Sequence, residues 1–306
     1  MKNLSTRGRV AAVVVLSAAP ALAWMVYGAL QQRYLGEAHA REELQRYARL
    51  AARQQDQALE GARQLLLALS AAVPALLQDR QACQAHFRDV GRAGQGAYHA
   101  LGVHLVSGDL HCNAMTWDDG VNVADRYYFR AAVDSGRFTV GGYQSGAATT
   151  RDGVVCGQPV RDGAGNMIAV VFARLDVKRL GELAGAIPRP AGAVVTLLDR
   201  EGVVLAQHPP QAASAGETGS DARLTRAVLS RRSGMLEAPD AGGASRLYAF
   251  EAAGGNPDGS APLRVVVGIH QRVIYADAHT AFIKTIGALV VVVTLLLLGG
   301  WYGAEV

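Results

Sequence analysis

Residues 125–146, DRYYFRAAVDSGRFTVGGYQSG, gather three tyrosines and two phenylalanines beside Arg126, in a chain of 306 residues that is only 6% aromatic. A guanidinium next to aromatic rings, ahead of the glycine-rich stretch Gly141, Gly142 and Gly146, suits a pocket that grips a carboxylate or another anion. Tyr143 would bring a hydroxyl and a ring face to the same place. Asp125 is placed to cap a helix starting at Tyr127. On that helix Tyr128, Ala131 and Ala132 share one face, with Phe129 and Val133 on its flank. Phe129 and Phe138 suit the closing of a core as well as the wall of a pocket.

Other residues that could do chemistry offer less. His104, His111 and Cys112 are metal-ligand types, but His111 and Cys112 are neighbours on one strand and point to opposite faces. Asp118 and Asp119, after Trp117, form a carboxylate pair of the kind found in solvated turns. General acid–base work needs a desolvated, oriented partner, and none is marked. No H-E-x-x-H, P-loop, G-x-S-x-G or C-x-x-C motif occurs. Neither enzyme activity nor a metal or other cofactor is expected.

The elements that must position these residues fall into two similar sets. Residues 98–107 and 110–114 read as a hairpin around Gly108-Asp109. Residues 154–160 and 167–175 form a second pair, followed by a short helix over 176–186 that Pro188 and Pro190 stop. The plan then recurs, with a hairpin over 193–198 and 203–207, a helix over 222–231, and strands over 245–251 and 263–270. The pattern predicts an α+β fold of two antiparallel-sheet modules in tandem. A long helix over 31–80 precedes them, carrying a stripe of Leu44, Tyr47, Ala51, Ala58, Ala62, Leu65 and Leu69. Such a stripe either docks on its own domain or pairs with a second copy as a coiled coil.

Two segments do not belong to a soluble domain. Residues 10–30 carry no charge and are long enough to span a bilayer; Lys2, Arg7 and Arg9 ahead of them favour a cytoplasmic N-terminus. A cleaved signal peptide is the alternative, since Ala21-Leu22-Ala23 imitates a cleavage site. Residues 283–302 form the second span, with Lys284 at one boundary and Trp301 and Tyr302 at the other. The net charge of +4 comes from scattered arginines and suggests no nucleic-acid face. Cys83, Cys112 and Cys156 lie in the large loop between the spans, so one disulfide and one leftover thiol are expected.

In order along the chain, Asp125-Arg126-Tyr127-Tyr128-Phe129-Arg130, Gly136-Arg137-Phe138-Thr139-Val140-Gly141, Gln158-Pro159-Val160-Arg161-Asp162-Gly163-Ala164-Gly165 and the hairpin over 198–206 resemble the bacterial double Cache sensor domain. That is the PAS-like tandem of chemoreceptors, sensor histidine kinases and diguanylate cyclases. The resemblance covers residues 35–275. It implies a membrane-distal module over 81–187 that binds a small molecule, a membrane-proximal module over 188–275, and signals that pass down the long helix and through the second span. It places the chain in the bacterial inner membrane with its sensor region in the periplasm. It also implies a Cys83–Cys112 pairing, since relatives join a cysteine before the first hairpin to one at its end. The implied ligand set is Arg126, Tyr128, Phe129, Tyr143 and Ser145, with His104 and Trp117. Amino-acid-binding members carry Arg-x-Trp-Tyr and then Tyr-x-Asp, whose carboxylate holds the ligand's amine. Here the second motif becomes Tyr143-Gln144-Ser145, so the amine's counter-charge is missing and a carboxylate without an amine is favoured.

The expected partners are a small-molecule ligand, the membrane, a second copy of the chain in a homodimer, and a cytoplasmic or membrane signalling protein. A periplasmic protein-interaction or structural module is the rival reading. The chain ends just past the second span, so it is expected to be the N-terminal part of a longer receptor.

Overall fold

The computed structural model describes residues 6–94, 98–115, 122–144, 153–210, 216, 222–240 and 242–273, and parts of 283–298. Residues 44–269 form one compact unit; 1–43 with 270–306 form another. Helix α1 runs over Thr6–Ser70. Among the described residues no helix is long and apolar enough to cross a membrane. The two expected spans fall largely on positions whose side chains or placement lie outside that set.

The long helix stops ten residues short of the expected end. Pro74 cannot continue a helix without losing a hydrogen bond, and it sits instead in the first turn of the short α2, Val73–Leu76. Asp79 then starts α3, Arg80–Ala93, its carboxylate accepting the N–H groups of Gln81 and Ala82. The buried stripe of α1 also runs differently from the one read in the sequence. Leu44, Tyr47, Ala51, Ala62 and Leu69 are buried as expected, but Gln55, Leu59 and Leu66 complete the stripe, with Ala58 and Leu65 at its edge. The helix docks along its own domain: Tyr47 donates to the Ala184 carbonyl (3.0 Å) and Gln55 to that of Leu180 (3.0 Å).

Two five-stranded sheets follow. The first holds β1 (Tyr98–Leu105), β2 (Leu110–Asn113), β3 (Thr139–Gln144), β4 (Gly153–Arg161) and β5 (Met167–Asp176), in the order β2-β1-β5-β4-β3. The second holds β6 (Val194–Asp199), β7 (Val204–His208), β8 (Ser233–Pro239), β9 (Ser245–Ala253) and β10 (Leu263–His270), in the order β7-β6-β10-β9-β8. The two orders are the same, so the tandem plan read from turn chemistry is present. Helix α4, Tyr127–Ser135, lies on the first sheet; α5, Val177–Gly185, links the modules; and α6, Ala222–Leu229, holds the place of α4 on the second sheet. The sequence pattern does not predict strand β8; its residues, Ser233–Pro239, are all half-buried or exposed and carry little hydrophobic signal.

Cys83 of α3 and Cys112 of β2 form a disulfide, with their Cα atoms 6.0 Å apart. Cys156 is a free, buried thiol, and burial pushes its pKa far up.

Candidate ligand-binding site

Helix α4 begins without a side-chain cap. Asp125 does not cap it; the N-cap residue is Arg126, and the exposed Asp125 carboxylate sits 3.6 Å from the Arg126 Nε instead. The helix ends at Gly136, whose φ of 63° closes it in the left-handed region. Its inward face carries Tyr128, Phe129 and Ala132, packed on Ala100, Val155, Val170 and Phe172 of the sheet. Ala131, expected on that face, is only half-buried, because a helix turns far enough per residue to carry it sideways. Tyr128 fits because its floor has no side chains: a Cβ on Gly157 would come within 3.1 Å of the ring at Cδ2, and one on Gly141 within 3.1 Å of the Tyr128 Cβ.

At the centre of this layer sits a polar group. The Tyr128 hydroxyl and His104 Nε2 lie 3.4 Å apart, with the direction of donation set by the imidazole tautomer. The imidazole stacks on Phe172 (4.4 Å) and meets Phe129 edge-on (6.2 Å). His104 is 1% exposed, and its Nδ1 makes no hydrogen bond of acceptable geometry although the Asp109 backbone is near. Burial lowers its pKa to about 4, so the ring is neutral at pH 7. Burial likewise raises the Tyr128 phenol, while the charges of Arg174 and then Arg126 pull the other way.

Those two arginines frame the group differently. Arg126 is half-exposed at the head of α4. Arg174 is buried on β5, in register with Ala100 and Val155, and its stem crosses Gly153, where a Cβ would meet Cδ at 2.8 Å. Arg174 escaped the sequence reading. The signal was present in MIAVVFARL: a cation at the alternate position after Val170 and Phe172, within an apolar strand.

Of the expected ligand residues, then, Tyr128, Phe129 and His104 are in mutual reach, and Arg126 stands at the helix head above them. Phe129 is core, whereas Phe138 is only half-buried. Tyr143 stands at the seam with the second module: its N–H donates to Asp199 Oδ2 (2.8 Å), and its ring lies against Gly216. Trp117 and Ser145 lie outside the described residues.

The seam is built from charged and amide groups. Arg200 lies 3.5 Å over the Tyr127 ring, and the Tyr127 hydroxyl donates to Asp258 Oδ2 (2.6 Å). The Asn256 amide donates to the Val140 carbonyl and accepts the Val140 N–H, each at 2.9 Å. Glu201 approaches Arg200 (3.1 Å) beside the buried Asp199, and burial followed by the Asp199 charge raises its pKa to about 7. The head of α4 and strand β3 are therefore both fastened to the second module.

No family model matches the chain, and no curated protein does. Solved structures do. The ligand-binding domain of the Pseudomonas aeruginosa PAO1 amino acid chemoreceptor PctB, in complex with L-Gln, is 18% identical; the match covers 80% of this chain and 97% of that one, with a TM-score of 0.59. The ligand-binding domain of the Pseudomonas fluorescens chemoreceptor CtaA, in complex with L-isoleucine, is 18% identical over 80% of this chain and 98% of its own, with a TM-score of 0.60. The extracellular domain of a protein described as a histidine kinase, rpHK1S-Z16, is 16% identical over 78% and 97%, with a TM-score of 0.59. With both five-stranded modules and the long helix in place, the chain has the fold of the extracellular ligand-binding domains of chemoreceptors and histidine kinases, the double Cache sensor fold.

Proposed function

We propose that this chain is the ligand-sensing input region of a membrane-bound bacterial signal-transduction receptor, and that it binds a small carboxylate in its first, membrane-distal module. The observation that carries this reading is the polar group under α4, in which Tyr128 and His104 lie within an otherwise apolar layer under the charges of Arg126 and Arg174. Burying such groups is costly, and a core has no need of them. The solved relatives named above hold L-Gln and L-isoleucine. In this chain the ammonium of such a ligand would meet arginines, and Gln144-Ser145 stands where amino-acid binders carry an acid. A carboxylate without an amine suits those charges better.

Residues 10–30 and 283–302 would anchor the region in the inner membrane, with the modules in the periplasm. Trp24, Tyr27, Leu30, Ile283, Leu295 and Leu298 are each more than half exposed, which water disfavours and lipid does not. A homodimer and a signalling partner complete the proposal, because a ligand biases such a receptor only through its different affinity for two states.

The test is titration of the full chain in lipid nanodiscs with acetate, propionate, lactate and succinate, alongside L-Gln and L-isoleucine. One carboxylate should bind, the two amino acids should not, and Arg126→Ala and Arg174→Met should each weaken that binding at least tenfold. Binding that survives both substitutions would place the ligand elsewhere.

A further inference from the structure

A concave surface lies apart from the α4 group. It is a cavity of about 380 Å³ where three parts of the domain meet: Arg63 and Leu67 of α1, Arg137, Phe138 and Gln158 of the first module, and Gly255 and Pro257 of the loop between β9 and β10. That volume is in the range that small-molecule sites occupy.

Its chemistry is asymmetric. Leu67 is 48% exposed, and with the half-buried Phe138 and Pro257 it gives the cavity an apolar wall that faces water. Two guanidiniums stand beside that wall. Arg63 is held by Glu60 through two hydrogen bonds, from Nε (2.8 Å) and Nη2 (2.7 Å), so its charge is matched while Nη1 is not drawn into that pair. Arg137 has no ion-pair partner among the described residues. Among the described residues no acid lines the cavity, and the nearby acids of α1 are engaged elsewhere, Glu60 by Arg63 and Gln64, and Asp56 by the Gly254 N–H. One cation is thus left over, beside an aromatic ring and a leucine.

We propose that this cavity is a second ligand site, taking a small carboxylate with an apolar body, such as an aryl carboxylate. The ring would lie against Leu67, Phe138 and Pro257, and the carboxylate would bridge Arg137 and the remaining donors of Arg63. The position gives such a ligand leverage. It touches α1, the first module and a loop of the second module, close to where Asn256 grips Val140. An occupant would tighten all three against one another.

The experiment is a saturation-transfer NMR titration of the full chain in lipid nanodiscs with benzoate, with acetate as the probe that lacks the apolar body. In the Arg126→Gln background, which disables the α4 site, benzoate should bind at least tenfold more tightly than acetate. Arg137→Gln and Leu67→Gln, both at exposed positions that leave the core intact, should each weaken benzoate at least fivefold, and Arg137→Lys should restore part of the loss. Arg126→Gln should leave benzoate affinity unchanged, which separates this site from the one under α4. No benzoate binding, equal binding of acetate by the Arg126→Gln variant, or binding lost with Arg126→Gln but kept with Arg137→Gln would each overturn the proposal.

Discussion

The two modules share a strand order and differ in what they bury. The β1–β2 and β6–β7 ladders each break register once, at Val103/His104 and at Leu197/Leu198, which aligns the sheets residue by residue. His104 then corresponds to Leu198. Through the neighbouring strands, Phe172 corresponds to Val266 and Arg174 to Gly268. In the second module the space above Gly268 is filled by the Tyr248 ring, and a Cβ there would lie 2.7 Å from Cε1. Its buried cation, Arg264, is spent on structure, donating to the carbonyls of Val228 (3.0 Å), Leu229 (2.9 Å) and Ala261 (3.2 Å). One backbone plan thus supports both a closed apolar layer and a polar one, and three side chains make much of the difference.

The sharpest way to break this comparison is through its aromatic member. Phe172→Ala should cost about 3–5 kcal/mol in denaturant unfolding, since it empties a packed layer and strips His104 of its stacking partner. Val266→Ala should cost clearly less; equal losses would mean that the two layers are energetically alike. Next, Arg264→Ala should cost about 2–3 kcal/mol, because three carbonyls lose a charged donor. A loss well below that would show water replacing the guanidinium.

His104→Leu copies the second module into the first. It removes a buried ring nitrogen without a hydrogen bond and also removes the partner of Tyr128, so stability should change by no more than about 1 kcal/mol. A large loss would make His104 a structural residue instead of a member of the site.

The effects of pH should have opposite signs in the two modules. The His104 pKa is lowered from 6.5 to about 4, so the unfolded chain takes up the proton first and stability falls as pH drops through that window. Glu201 is raised from 4.5 to about 7, so the folded chain holds the proton first and stability rises as pH drops from 7 towards 4.5. Thermal unfolding from pH 7.5 to 4.5 should therefore gain with acid in His104→Leu and lose with acid in Glu201→Gln. The same slope in both variants would remove the distinction.

Much of this architecture is legible in the sequence because turns and alternation are local. Gly108 and Gly202 adopt φ near 88° and 86°, where glycine is favoured, and both hairpins could be placed from them. The Asp125–Tyr128 motif is local in the same way, and it falls at the head of α4, whose inward face carries Tyr128. What could not be read depends on distant neighbours. Arg174 reads as an ordinary strand residue until the register puts it beside Ala100 and Val155. Tyr143 reads as a pocket residue, and nothing local shows that its backbone bonds to Asp199, 56 positions away. Asp125 has the right type and place for a cap, yet its carboxylate goes to Arg126.

The position of β10 has a mechanical consequence. This last strand lies in the middle of its sheet, between β6 and β9, and the chain continues from it past His270. A lengthwise pull on that continuation loads two hydrogen-bonded ladders at once, and they can yield only by shearing together. An edge strand such as β8 could be peeled away one bond at a time. The second module therefore behaves as a stiff coupling at its exit, passing a displacement on with little slack.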